Sequence, residues 1–441
     1  MHQSSETSSE VKICIHRGSN QIGGSCVEIE CEGKRIIIDM GTPLDADEET
    51  QSLVPDIKGL KEGDPSILGI IISHPHRDHY GLIKFASPKI PVYIGEKAYK
   101  ILEIFSVFVP NAAVEIPNKH FYEDKKPFVI GTTSKGEIKI TPFLVDHSAF
   151  DSYSLLIEIA GKKIMYSGDI RFHGRKAVLS ELLPNNSLLK NLDLVLLEGS
   201  SLHRIDENAQ FQTEDEIEDR FVEEFNKTQG LALVFASSQN IDRISSVYRA
   251  CKRTNRILLI DLYVACNIRT CFNLEKPLLP QAVLLVPENQ RDFIRDNKLF
   301  DLLNEYKEKR TYRERIVEST NKYVLLFRNT YIRDFGITPK LLENARFFYS
   351  MWSGYWNEND KSYGKVVRFV KKNKLEKIDI HTSGHASVKD LKSFVEKLGS
   401  PLVTLYILFI LNNTPIYLKM LKSTKTASGS LFKCSRSLSI S

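Results

Sequence analysis

Six consecutive residues, His74-Pro75-His76-Arg77-Asp78-His79, set three imidazoles and a carboxylate in one short stretch. They directly follow Ile67-Leu68-Gly69-Ile70-Ile71-Ile72-Ser73, an apolar run that reads as a buried strand. Side chains on a tight loop at a strand end can converge on one point. Neutral imidazole nitrogens and a carboxylate oxygen suit zinc or a similar divalent ion. Histidine is scarce in this chain, 11 of 441 residues, so a polar loop with incidental histidines is a poor account of so dense a run.

Other segments carry related signals. Gln21-Ile22-Gly23-Gly24-Ser25-Cys26-Val27-Glu28 and Ile36-Ile37-Ile38-Asp39-Met40-Gly41 stand ahead of the run. Val145-Asp146-His147-Ser148 and Tyr166-Ser167-Gly168-Asp169-Ile170-Arg171 come behind it. A second dense stretch, His381-Thr382-Ser383-Gly384-His385-Ala386, precedes a helical pattern over 388–398. A Ser and a Gly between two histidines offer a hydroxyl donor and close backbone approach for a phosphate, and a helix N-terminus favours anions.

These motifs, in this order, resemble those of the metallo-β-lactamase superfamily. With the HTSGH segment they are similar to its nucleic-acid-processing β-CASP branch, of the ribonuclease J type, over roughly residues 11–400. The resemblance implies an α/β chain: an αββα sandwich of two sheets flanked by helices, with an inserted β-CASP α/β domain. It implies two divalent ions, zinc first and manganese as an alternative. His74, His76 and His147 would hold one; Asp78, His79 and a bridging Asp169 would build most of the other. Such a pair shares a hydroxide and clamps both attacking and leaving oxygens of a phosphodiester. Asp39 would hold an imidazole N–H from behind, although a strand-end Asp satisfied by local backbone fits it almost as well. Asp78, Glu198 and His385 are the expected catalytic residues, with His385 as proton donor paired with Glu198. His381, Ser383, Gly384 and Arg243 are the expected phosphate or RNA contacts. A plain helix N-cap over Ser237–Arg243 competes for the last of these.

Length fits two domains. The expected boundaries are a flexible tail at 1–10, a metallo-β-lactamase domain at 11–200, the insertion at 201–373, a return at 374–400 through Ile378-Asp379-Ile380-His381, and an atypical tail at 401–441. Residues 66–95 read as strand, ligand loop, short helix and strand. Residues 127–168 read as strands with Gly131 and Gly161 at turns. In the insertion, 214–226 and 242–252 read as helices, 231–236 and 257–264 as strands, and 289–310 as a charged helical stretch.

Hydrophobic residues make up 42%, and the net charge of +5 permits an anionic partner without requiring one. The basic residues Arg249, Lys252, Arg253 and Arg256 read as a solvated face or an RNA surface. Tyr349, Trp352, Tyr355 and Trp356 read as packing aromatics, with base stacking as the alternative. The seven cysteines show no CxxC pair and read as reduced residues of a cytoplasmic protein. Residues 1–10 lack an apolar signal-peptide core, and the apolar run 402–411 is too short to span a bilayer.

The resemblance calls for one more metal-binding histidine after the helix that follows HTSGH, yet none occurs after His385. Codons can be chosen for 409–422 that read HPEQYTDIFENVK in another frame, so a frame change near residue 400 would account for the break. The expected function is hydrolysis of RNA phosphodiesters in RNA processing or decay, by exo- or endonuclease action on single-stranded RNA, with a homo-oligomer possible. Two alternatives stand beside it: a small-molecule hydrolase of the lactonase or thioesterase type, and a weakly active or inactive RNA-binding member.

Overall fold

The computed structural model describes residues 10–18, 21, 23–46, 48–109, 113–202, 208–274, 279–399, 401–406 and 437–440. The chain divides into two compact units, Met1–Gln210 with Gly384–Ser441, and Phe211–Ser383. The second unit begins and ends later than the 201–373 read from sequence. The later end comes from a strand at Glu376–Asp379 that pairs parallel with Arg346–Tyr349. The apolar residues around Ile378 therefore finish the second unit's sheet and do not begin the return to the first.

In chain order, β1 (Val11–Arg17), β2 (Cys26–Cys31), β3 (Lys34–Ile38), β4 (Ile67–Ile71), β5 (Val92–Gly95) and β6 (Lys119–Tyr122) lie side by side in one sheet. A second sheet takes β7 (Phe128–Thr133), β8 (Gly136–Leu144), β9 (Tyr153–Ile159), β10 (Lys162–Tyr166) and β11 (Leu194–Leu197). Gly131 lies inside β7 at a register shift, not at a turn; Gly161 does sit at a turn, with φ +78°. The second unit is one sheet of β12 (Ala232–Phe235), β13 (Ile257–Ile260), β14 (Ala282–Leu285), β15 (Arg310–Thr311), β16 (Tyr323–Leu326), β17 (Arg346–Tyr349) and β18 (Glu376–Asp379), paired throughout in parallel. The chain closes in the first unit with β19 (Leu402–Leu405) parallel to β11 and β20 (Ser437–Ile440) antiparallel to β1.

Alternation along the strands builds the layers. Ile36 and Ile38 of β3 and Leu194 and Leu196 of β11 enter the core between the two sheets. Ile37 instead joins the outer cluster with Ala98 and Leu102 of the helix Glu96–Phe108. Val195 and Leu197 likewise join Leu391 and Phe394 of the helix Val388–Lys397. Successive side chains point to opposite faces, and each buried aliphatic contributes about 1.5–3 kcal/mol. One-residue slips are thereby excluded, and the result is a helix–sheet–sheet–helix sandwich.

In the second unit the helix Glu214–Lys227 starts at a capping box. Thr213 Oγ1 accepts from Glu216 N, and Glu216 Oε2 accepts from Thr213 N. The strand read over 257–264 stops at Ile260, because Asp261 accepts from Val264 N and opens a helix over Leu262–Phe272. The stretch 289–310 divides into helices Glu288–Asp296 and Phe300–Asn304, with Lys298 between them at φ +56°. Among the described residues no helix is long and apolar enough to cross a membrane.

Candidate metal centre

The His74–His79 loop leaves β4 and is clamped by the chain leaving β3 and by the residue that precedes β2. Met40 N donates to His79 O (2.7 Å), Thr42 N to Arg77 O (2.9 Å) and Ser25 N to Asp78 O (3.0 Å). A Cβ on Gly41 would collide with the Asp78 carbonyl, so the close approach requires glycine there. Arg77 points away from the imidazoles into an ion pair with Glu49.

Hydrogen bonds behind the imidazoles assign their tautomers. Asp39, fully buried with φ +61°, accepts from Ser73 N, Ser73 Oγ, Tyr166 Oη and His79 Nδ1 at 2.7, 2.8, 2.7 and 2.7 Å. With the Ser73 hydroxyl proton on Asp39, Ser73 Oγ accepts from His74 Nδ1 at 3.0 Å. Gly384 O accepts from His147 Nδ1 at 2.7 Å. His74 and His147 thus present bare Nε2 lone pairs, and His79 would do so once a cation displaces the proton on its Nε2. Asp39 is an orienting residue with both local backbone and imidazole partners.

These lone pairs face one another. His74, His76 and His147 each place a nitrogen within 4.8 Å of the other two, as do the ligand atoms of His74, His79 and Asp169. His76 Nδ1 and His147 Nε2 are 3.1 Å apart. Asp169 Oδ2 lies 3.4 Å from His79 Nε2, 3.7 Å from His74 Nε2 and 3.8 Å from His147 Nε2, facing both groups. Asp78 stands at the rim, partly exposed, with Oδ2 3.9 Å from His79 Nε2. His74 Nε2, His79 Nε2 and Asp169 Oδ1 are buried without a hydrogen-bond partner among the described residues. Buried polar atoms are nearly always paired. Buried ligand atoms converging on one another without hydrogen-bond partners fit a divalent cation.

The electrostatics agree for His74, His76 and His147. Burial holds His74 and His147 well below the ordinary imidazole pKa and lowers His76, which keeps them neutral and able to ligate. Burial also opposes a proton on His79, but Asp169, Asp39 and Asp78 outweigh it and hold this group well above its ordinary value. Burial disfavours the Asp169 carboxylate, yet His79, His385 and His74 keep its pKa well below the usual range.

Glu198, fully buried at the end of β11, has Oε2 3.2 Å from His385 Nδ1. Burial opposes protonation of His385, but Glu198 and then Asp169 raise its pKa to about 9. Gly384 and His385 lie in the first unit and His381 and Ser383 in the second. The helix after HTSGH has its N-terminus occupied by a capping box of Ser387 and Asp390.

Sequence reasoning missed several participants. Asp146, next to His147, is buried against Arg171 (Nε–Oδ1 3.2 Å) and accepts from Gly174 N (2.7 Å), tying the two loops that carry His147 and Asp169. Tyr166 caps Asp39, and the buried Tyr406 ring lies 4.3 Å from Tyr166. Ser73, Asp146 and Arg171 all sit within two residues of predicted ligands, which was the available signal.

Other expectations meet a different structure. Arg243 is fully buried: Nε and Nη2 bind Glu214 at 3.2 and 3.0 Å, and Nη1 donates to Ser350. Its guanidinium is engaged inside the unit and not turned toward an RNA backbone. Asn240 is the N-cap, accepting from Arg243 N. Arg249 and Arg253 pair with Glu218, and Arg256 is buried against the carbonyls of Thr228, Gly230 and Tyr323. Arg249, Lys252 and Arg253 are thus exposed, the solvated face that the sequence offered, and Arg256 alone of the four is turned inward. Tyr349 and Trp356 pack on the second core, while Trp352 is 41% exposed. The frame-change reading at 409–422 lies outside the described residues.

Comparison with known proteins follows the same lines. Residues 20–210 match the metallo-β-lactamase superfamily. "Ribonuclease J 2" of Streptococcus pyogenes is 23% identical over 303 residues, 66% of this chain and 53% of that protein. An "RNase J-like protein" of Methanocaldococcus jannaschii is 28% identical over 235 residues, 49% of this chain and 48% of that one. This chain thus spans about half the length of these curated relatives. A crystal structure of a protein of unknown function from Enterococcus faecalis V583 has the same fold, with TM-score 0.74 and 16% identity over 98% of this chain and all of that one. Ligand loop and relatives point the same way: residues 20–210 match the metallo-β-lactamase superfamily, and the chain is similar to ribonuclease J-like proteins.

Proposed function

We propose that this protein is a metal-dependent ribonuclease of the β-CASP type that hydrolyses phosphodiesters of single-stranded RNA in processing or decay. The observation that carries the reading is the convergence of partnerless Nε2 atoms of His74 and His79 on Asp169, beside the His385–Glu198 pair. His74, His76 and His147 would hold one ion, and Asp78, His79 and Asp169 most of a second, as zinc or manganese. The ions would supply Lewis acidity toward the phosphate oxygens and acidify a water. Asp39, Ser73 and the Gly384 carbonyl fix the imidazole orientations. His385, with Nδ1 held by Glu198, carries a proton at neutral pH that its other ring nitrogen can give to a leaving sugar oxygen. Ser383 offers a phosphate a hydroxyl beside this imidazole in the chain, and His381 and Gly384 complete that segment. Arg243 is an internal anchor in this reading. The protein would act in the cytoplasm, and a homo-oligomer is compatible with it.

The names of the relatives favour RNA over a small-molecule ester. The lack of any histidine after His385 supports a second reading, an RNA-binding member with little turnover. The deciding experiment offers 5′-monophosphorylated and 5′-triphosphorylated RNA and matched DNA to the purified protein with zinc or manganese, with Asp78→Ala as control. RNA cleavage lost in the variant supports the ribonuclease. Retention of RNA without cleavage supports the second reading, and lactone hydrolysis without either overturns both.

A further inference from the structure

A second constellation lies on the outer face of the first sheet and shares no residue with the metal cluster. Alternation along β1 sends Ile13 and Ile15 into the core and leaves Cys14 and His16 on the opposite face. His16 Nε2 is 2.6 Å from Glu28 Oε2 on β2, and Glu28 Oε1 is held by Arg35 Nη1 on β3 at 3.4 Å. Arg35 is itself fixed by Ser66 Oγ at 2.6 and 3.1 Å. With its proton on Nε2 toward the carboxylate, His16 presents a bare Nδ1, and Cys14 Sγ is 3.8 Å from that atom. Lys12 and Glu30, paired at 3.8 Å, are the next charges along this face. Nucleophile, base and orienting acid thus stand in the order that activates a thiol.

We infer that Cys14 is a base-activated thiol, with His16 as base and Glu28 as its positioning residue, that reacts with hydroperoxides. The thiol proton passes to His16 Nδ1. The thiolate attacks one peroxide oxygen, the S–O bond forms as the O–O bond breaks, and the departing oxygen takes the proton from His16. Sulfur is oxidised by two electrons to a sulfenic acid, and the peroxide is reduced to an alcohol or water. The contrast within the chain supports the choice. Cys26, Cys31, Cys251, Cys266 and Cys271 are all buried, and Cys14 is partly exposed. Burial pushes the thiols of Cys26 and Cys251 up and raises Cys266 to about 11, which leaves them inert.

The test is mass mapping of the full-length, metal-loaded protein. At pH 7, brief iodoacetamide treatment should label Cys14 about tenfold faster than any of those five cysteines. One equivalent of hydrogen peroxide with dimedone should give an adduct at Cys14. His16→Gln should slow both reactions at Cys14 about tenfold, and Glu28→Gln should slow them less. Melting temperature and bound metal report whether each variant is folded. An unchanged Cys14 rate in folded His16→Gln overturns the inference. If that variant does not fold, an unchanged rate in Glu28→Gln, or a dimedone adduct placed elsewhere in the wild type, does so instead.

Discussion

Arg243 and His79 are both fully buried ionisable side chains, and their surroundings treat them differently. Arg243 meets a bidentate carboxylate and the Ser350 hydroxyl. Ser246 Oγ then donates to Glu214 Oε2 at 2.8 Å, and Ser350 Oγ to Ile380 O at 2.5 Å. His79 has its Nδ1 met by Asp39, while its Nε2 finds no hydrogen-bond partner among the described residues and faces Asp169 at 3.4 Å. A polar network closed on itself fixes helices and strand ends. One closed on the outside and open at its centre is built to hold something more.

The widest separation between the two regions should come from Asp169→Asn. Removing the charge that faces the imidazoles should cost RNA cleavage on the order of 10³-fold or more. Elemental analysis should show bound metal reduced, with the melting transition largely kept. Arg243→Met should do the reverse: Glu214 is left buried and uncompensated, costing about 3–5 kcal/mol in denaturant unfolding, while metal per chain stays the same. A metal loss in Arg243→Met would erase the distinction. Asp39→Asn probes the closed side of the open network and should weaken metal binding about 10- to 100-fold by competition with a chelator.

The smallest effect expected is a titration. In chelator-treated protein His385 should titrate near 9 by NMR, and Glu198→Gln should lower that value. The sign follows from the raised folded pKa. The stabilisation from the His385 proton is complete below the unfolded value of about 6.5 and is lost as pH climbs through about 9.

The difference between the two networks also marks what the sequence could reveal. Ligands crowded behind one strand, His74 to His79, declare themselves, because spacing within a loop survives in one dimension. Asp39 was legible as a carboxylate at a strand exit. Its four donors were not, since Tyr166 and Ser73 reach it from 127 and 34 residues away. Arg243 looked available because an N-terminal turn displays polar residues whether or not a carboxylate waits behind it; Glu214, 29 residues earlier, gave no sign. The boundary near 380 failed for a related reason. Alternating apolar residues at 378 and 380 suit the last strand of one sheet as well as the first of another, and only the pairing with β17 decides.

One consequence follows from where the chain leaves and re-enters the first unit. Gly384, whose carbonyl sets the His147 tautomer, and His385 are made only after the whole of Phe211–Ser383. Until residue 384 is added, a growing chain carries the histidines and carboxylates from His74 to Asp169 but neither the brace for His147 nor His385.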